Sequence, residues 1–450
     1  NLSSPGVTGG ALIVVGEDYG EGASVIQERT HAFAMKSCML LLDPRPDLAR
    51  MVEMVEHGFA LSEASNMPAI LELRIRACHV QGSFECRDNR APAISTRSLQ
   101  VEPAAFDYMR LAHPPVTFRH EKLKGEQRIP AARRYITEHR LNETFAGTHA
   151  DLGIIVQGGL YNAAIRALQQ FGLANAYGDS EIPIHVLNVT YPLVHDELLD
   201  FCRDKRGVLL LEEGQPEYIE QELATLLRRQ DLQTPLHGKD GLPNGGEYTV
   251  EVIAQGLAPF VARYLPRHDA SAATAWLAGN RQRREQAAQA LGAPLPPRPP
   301  AFCIGCPERP VFSALKLAQQ EVGRVHIAAD IGCHAFATFE PFSSGHSILG
   351  YGMSLASTAG VAPLMARRTL AIVGDGGFWH NGLVTGVQSA LFNGDDAVLL
   401  IFKNGYTSAT GTQDIISTPD EEIKAAAADK HQSLVDRSEE HTSELQSQSL

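Results

Sequence analysis

No apolar run in this sequence approaches the roughly 20 residues that cross a bilayer as a helix, and the opening residues do not read as a secretory signal. A membrane role is therefore not expected. Basic residues are in deficit: 39 Lys and Arg stand against 52 Asp and Glu, a formal net charge of −13. That balance disfavours nucleic acid or an anionic membrane surface as the main partner. Cysteine is sparse. Its seven positions (Cys38, Cys78, Cys86, Cys202, Cys303, Cys306 and Cys333) are odd in number and unevenly spaced, which argues against a disulfide framework and for reduced thiols in the cytoplasm. Neither a Walker A motif nor a clean G-x-G-x-x-G occurs, so nucleotide hydrolysis and dinucleotide binding through those motifs are disfavoured. No internal repeat is visible.

What is present is an ordinary globular mixture. The 450 residues are 44% hydrophobic and 20% charged, enough for two to four domains with sizeable cores. The chain opens without Met and runs at once into a buried-strand pattern, as expected if it begins inside a domain. The last fifteen residues, "DRSEEHTSELQSQSL", hold two large apolar side chains, Leu445 and Leu450. They are expected to form a disordered or artefactual tail at 436–450.

Three stretches alternate strand and helix. In the first, "ALIVV" and "CMLLLDP" read as strands, with Pro44 ending the second. "MVEMVEHGFALSEA" follows as a helix with Val52, Val55 and Phe59 at helical spacing, and "PAILELRI" as a further strand. This is a βαβ pattern, which implies a parallel sheet. Arg74 and Arg76, after "LEL", read as surface charges at a strand end, and "CHVQGSF" as an interdomain segment. Residues 96–146, rich in Pro, Arg and His, read as a linker with some helix near 126–142. The second αβ stretch spans 147–262 and includes "DLGIIVQGG", "PIHVLNV" and "GVLLLEEG" as strands. Residues 263–300 suit a second linker. The third stretch, 301–435, carries "VHIAADIG", "TLAIVGDGG" and "AVLLIFKNG" as strands, with "SSGHS" as a loop. The fold class expected is α/β, with several doubly wound parallel-sheet domains.

The chemistry gathers in that third stretch. An apolar strand runs straight into Gly374, Asp375, Gly376 and Gly377, and a helix follows. Open parallel sheets bind ligands at the carboxyl ends of their strands. Glycines there let the backbone approach a phosphate, and a helix N-terminus favours its charge. Asp375 could then hold Mg²⁺, a hard cation that takes oxygen ligands and bridges to phosphate. An Asp-Gly turn between strands is the plain alternative. Asn404, with 27 residues between it and Gly376, ends the next strand, so both side chains can converge on one metal.

This GDG…N pattern resembles the signature with which thiamine-diphosphate enzymes hold the diphosphate through Mg²⁺. The resemblance implies Asp375, Asn404 and the Tyr406 carbonyl as metal ligands. "FCIGCPERPVF", "ADIGCHAF" and "YGMSLASTAG" further resemble the 2-oxoacid:ferredoxin oxidoreductases, above all their indolepyruvate-type alpha subunits. "GGALIVVGEDYGEGAS", "VTYPL" and "HGKDGLPNGGEYTVEVI" follow in that family's order. The likeness covers roughly residues 5–430, while the wording of "GDGGFW" and "KNGYTS" departs from it.

The resemblance implies a partial pyrimidine-binding domain at 1–95, a transketolase C-terminal-like domain at 147–262 and a diphosphate-binding domain at 301–435, with Gly332 and Cys333 near the cofactor. It implies oxidative decarboxylation of a 2-oxoacid with coenzyme A, electrons leaving to ferredoxin. It also implies a second subunit or a homo-oligomer. The activating glutamate is expected before residue 1; Glu17, Glu21 and Glu28 read as loop residues. Cys303, Cys306 and Cys333 are candidates for a [4Fe–4S] cluster, for free thiols beside the cofactor, or for zinc with His334 or His326 as fourth ligand. His334 and His380 flank the glycine turns and are candidates for contact with a 2-oxoacid carboxylate or for proton transfer, against a structural hydrogen-bonding role. Alternatives to the oxidative reaction are a non-oxidative decarboxylase or lyase, and a non-catalytic cofactor-binding subunit.

Overall fold

The computed structural model describes residues 3–20, 29–88, 105–293, 301–408 and 412–418. Within it the chain divides into two compact units, Asn1–Pro294 and Leu295–Leu450. Among the described residues no helix is long and apolar enough to cross a membrane.

The first unit holds two sheets. One has the order β1-β3-β2-β7, from Leu12–Glu17 (β1), Leu40–Leu42 (β2), Ala69–Arg74 (β3) and Val189–Tyr191 (β7). The β1, β2 and β3 strands are parallel, and β7 lies antiparallel on β2. The other has the order β4-β6-β5-β8-β9, from Glu143–Phe145 (β4), Leu152–Gln157 (β5), Ile184–Leu187 (β6), Gly207–Leu211 (β8) and Leu236–His237 (β9). The last four run parallel and β4 antiparallel. Both β5 and β8 are wholly buried, and apolar but for Gln157 at the end of β5, as strands covered on both faces must be. Helices of this unit are Thr30–Ser37 (α1), Leu48–Ser65 (α2), Ile75–Cys78 (α3), Val116–Leu123 (α4), Ile129–Glu138 (α5), Tyr161–Gln170 (α6), His195–Cys202 (α7), Tyr218–Arg229 (α8), Val250–Tyr264 (α9) and Ser271–Leu291 (α10).

Four expectations are corrected here. The "PIHVLNV" run is not one strand: Asn188 breaks it, and its two halves, β6 and β7, enter different sheets. The first and second αβ stretches are thereby stitched together. Residues 96–146 are not a linker in their described part. There α5 packs on α2, with Ala132 and Ile136 in the first core, and β4 pairs with β6. Of the second linker reading, 271–291 is one long helix whose start, at Ala273, Trp276 and Leu277, packs on the second core. On α2 the buried stripe is Met54, Gly58, Leu61, Ser62 and Ser65. Val52, Val55 and Phe59 face solvent instead. The start of α2 is fixed by Asp47, whose carboxylate accepts the Arg50 N–H at 2.9 Å.

The second unit is a four-stranded parallel sheet, β11-β10-β12-β13, from Ile327–Ala329 (β10), Ser347–Ile348 (β11), Leu370–Gly374 (β12) and Val398–Phe402 (β13). Its helices are Glu308–Val322 (α11), Ser354–Thr358 (α12), Asp375–Gly377 (α13), which continues as a π-helix over Phe378–Val387, and Gln388–Asn393 (α14). Phe302 and Phe312 pack with Ile327, Leu370 and Ile372 in its core. The expected strand–helix–strand context of the glycine motif is thus present, and β12 and β13 are neighbours in register.

Candidate functional site

Asp330, Asp375 and Asn404 stand at the carboxyl ends of β10, β12 and β13. Gly374-Asp375-Gly376-Gly377 is not a turn; helix begins at Asp375 directly after the strand. The Asp375 side chain is 4% exposed. Its Oδ2 accepts the Asn404 and Gly405 N–H groups at 3.1 and 2.7 Å, and its Oδ1 accepts the Gly376 N–H at 3.0 Å. These bonds pin the loop after β13 to the end of β12. A carboxylate has about four acceptor positions, so three backbone donors leave Asp375 capacity for a cation. The Asn404 side chain is exposed, with its Oδ1 accepting from Tyr406 N at 3.3 Å.

Asp330, at the end of β10, was not singled out from the sequence. It is fully buried, and its Oδ1 accepts the N–H groups of Ile331 and Gly352, both at 2.7 Å. Burial raises its pKa. An "AAD" ending parallel to "VGD" was the available signal. Through Gly352 it fixes the loop carrying Tyr351. Gly352 has φ +77°, and a Cβ there would stand 2.6 Å from the Gly377 carbonyl oxygen. At Gly376 a Cβ would meet the Tyr351 hydroxyl at 2.5 Å and Thr407 Cγ2 at 2.7 Å. The glycines therefore keep backbone close to backbone at the strand ends.

The histidines separate. His334 is 3% exposed, its ring parallel to Phe402. Its Nε2 has no partner. Burial drops its pKa to about 4, so the ring is neutral near pH 7. In the neutral ring one nitrogen carries the proton and the other is bare, so the unpartnered Nε2 can donate or accept according to the tautomer. His380 is exposed and packs against Tyr351 at 5.1 Å between ring centroids.

The thiols are not a ligand set. Among the described residues no group of three or more His, Cys, Asp or Glu is placed to hold a metal ion. Cys303 is exposed, while Cys306 and Cys333 are half-buried with pKa values raised by burial. Cys333 Sγ lies 3.4 Å from Ser408 Oγ. His326 stacks on His346 and meets Ser347 Oγ at 3.2 Å. Neither a cluster nor zinc fits these residues as they stand, and no chemistry is derived through either. In the first unit, Glu17 accepts the Thr30 N–H at 3.2 Å and so starts α1. Glu21 and Glu28 lie outside the described residues.

Residues 330–438, which include Asp375 and the parallel-sheet strands β11 to β13, match the family described as thiamine pyrophosphate enzyme, C-terminal TPP binding domain. Along most of its length the chain is also similar to proteins named indolepyruvate oxidoreductase subunit IorA. It is 27% identical over 422 residues to indolepyruvate oxidoreductase subunit IorA of Methanothermobacter thermautotrophicus, covering 91% of this chain and 61% of that one. It is 26% identical over 431 residues to the subunit of the same name from Thermococcus kodakarensis, covering 91% and 62%. The chain thus spans about three-fifths of the length of the curated relatives it matches. A solved 2-oxoglutarate:ferredoxin oxidoreductase from Magnetococcus marinus aligns with 56% of this chain and 48% of its own at 16% identity, with a TM-score of 0.37; nothing below rests on it.

Proposed function

We propose that the complete protein oxidatively decarboxylates an aryl 2-oxoacid of the indolepyruvate type, transfers the acyl group to coenzyme A and passes the electrons to ferredoxin. The observation that carries this reading is the Asp375 carboxylate, fixed by backbone N–H groups of the next strand's loop within the residues that match the thiamine-diphosphate-binding family. Asp375, Asn404 and the Tyr406 carbonyl would hold Mg²⁺. Gly374, Gly376 and Gly377 let backbone approach the diphosphate, with Gly332 and Cys333 beside it. When bound, thiamine diphosphate supplies the carbon nucleophile and the electron sink for loss of CO₂. Asp330 holds the Tyr351–Gly352 loop in place, and buried His334 presents an unpartnered Nε2 in a dry environment. A second subunit or a second copy completes the electron path, and the cytoplasm is the compartment that suits its free thiols.

Calorimetric titration with thiamine diphosphate and Mg²⁺ tests the reading. Binding should be present, and Asp375→Ala should weaken it at least about tenfold, the loss of one charged metal ligand. No binding, or binding indifferent to that substitution, would sink the cofactor assignment. Release of free aldehyde by the full-length protein, with no reduction of ferredoxin, would overturn the oxidative one.

A further inference from the structure

In the second sheet of the first unit, β5 leads through α6 to β6 on one side, and β8 lies on the other. That reversal is the place where open α/β sheets bind ligands. Here the crevice is filled from within. Asp43, at the end of β2, accepts the Gly159 N–H at 3.1 Å, as a bound anion would at a helix start. Arg74 grips Asp43 at 2.6 Å and also bonds Glu213 at the end of β8. A ligand at this edge must therefore sit beside the plug, and a cavity of about 760 Å³ lies there.

Its lining is cationic and aromatic. Arg45, Arg76 and Arg166 line it with Tyr161, Tyr177 and one carboxylate, Glu247. Arg76 holds Glu247 at 3.0 Å and Glu213 at 2.7 Å. Arg45 spends Nε and Nη2 on Glu143, which lies outside the lining, and its guanidinium sits 5.2 Å over the Tyr161 ring. Arg166 is exposed, one helical turn from Asn162 on the same face of α6, and makes no ion pair or hydrogen bond among the described residues. On the rim, Tyr177 is 94% exposed. Its backbone is held by a turn in which Asn175 Oδ1 accepts the N–H groups of Tyr177 and Asp179 at 2.9 and 3.0 Å. An exposed aromatic ring on a lining shared with arginines offers a stacking face for a flat base and guanidinium groups for phosphate. The volume lies within the range that encloses whole cofactor-sized ligands.

We propose that this cavity binds a nucleotide, its phosphates on Arg166 and Arg45 and its base against Tyr177. The nucleotide half of coenzyme A is one source of that chemistry, and that source rests on the function proposed above. A free nucleoside diphosphate is the other. No glycine-rich fingerprint marks the place in the sequence, because side chains and not a backbone cradle supply the contacts.

Isothermal titration of the 450-residue chain with ADP and, separately, with coenzyme A tests this. Binding is expected with both, falling as ionic strength rises, and Arg166→Glu and Tyr177→Ala should each weaken it at least about fivefold. Both side chains face solvent, so both variants should keep the parent's unfolding curve. Coenzyme A binding much tighter than ADP assigns the cavity to the acyl acceptor; equal affinities assign it to the free nucleotide. No binding of either, or binding untouched by both variants, overturns the proposal. Thiamine diphosphate with Mg²⁺, titrated into the same preparations, should be indifferent to both substitutions. Its failure alone strikes the cofactor reading and leaves this one standing.

Discussion

His185, in the middle of β6, is 2% exposed. Thr144 Oγ1 meets its Nδ1 at 2.9 Å, and its Nε2 has no partner. Burial lowers its pKa from 6.5 to about 4. The unfolded chain therefore binds a proton here more readily than the folded one. The contribution to stability is complete above pH 6.5 and is lost as pH falls from there toward 4. At pH 4.5 the loss should be roughly 2.5 kcal/mol for a shift of this size. A glutamine in its place keeps a polar partner for Thr144 and cannot titrate. Urea unfolding of the parent and of His185→Gln, at pH 7 and pH 4.5, should show the variant losing less stability by about that amount. Equal losses would mean that the ring is already protonated in the fold. Every other titrating group is common to both proteins and cancels.

At the scale of elements, the junction between β5 and α6 is packed backbone against backbone. A Cβ on Gly158 would fall 1.9 Å from the Asp43 carbonyl oxygen, and one on Gly159 would fall 2.3 Å from the Arg74 side chain. Backbone cannot yield as a side chain can. Gly158→Ala should therefore lower the unfolding free energy by roughly 3 kcal/mol or more and Gly159→Ala by less, on the scale of overpacking. Thermal and urea unfolding of the two variants would settle their order, and the reverse order would contradict the packing. The elements themselves were legible, because buried parallel strands spell apolar runs and β12 meets Asp375 where the pattern placed it. The partners were not. Arg74 follows a strand, as a surface charge would, and its burial depends on Asp43 and Glu213, which are far away in sequence but adjacent in the fold. The apolar spacing of Val52, Val55 and Phe59 marked a true helix but not its buried face, since Gly58, Ser62 and Ser65 carry no hydrophobic signal. Asn188 likewise gave no warning that one apolar run would serve two sheets.

Across the whole chain, the two proposed ligands address different units: Asp375, Asn404 and Tyr406 lie in the second and Arg166 and Tyr177 in the first. Each unit has its own hydrophobic clusters, so calorimetry should resolve two transitions. A ligand stabilises the unit that binds it by RT ln(1 + [L]/Kd), about 2.7 kcal/mol at a hundredfold excess over Kd. Thiamine diphosphate with Mg²⁺ should therefore raise one transition and ADP the other, and Asp375→Ala should abolish only the first of these shifts. If both ligands moved a single transition together, the chain would be one cooperative body. The separation then could not be read from stability, and linkage would need its own measurement, since linked sites alter each other's affinity by the same factor whether or not the chain unfolds as one body. Titrating ADP into protein saturated with thiamine diphosphate supplies it, because unlinked sites leave the ADP affinity unchanged.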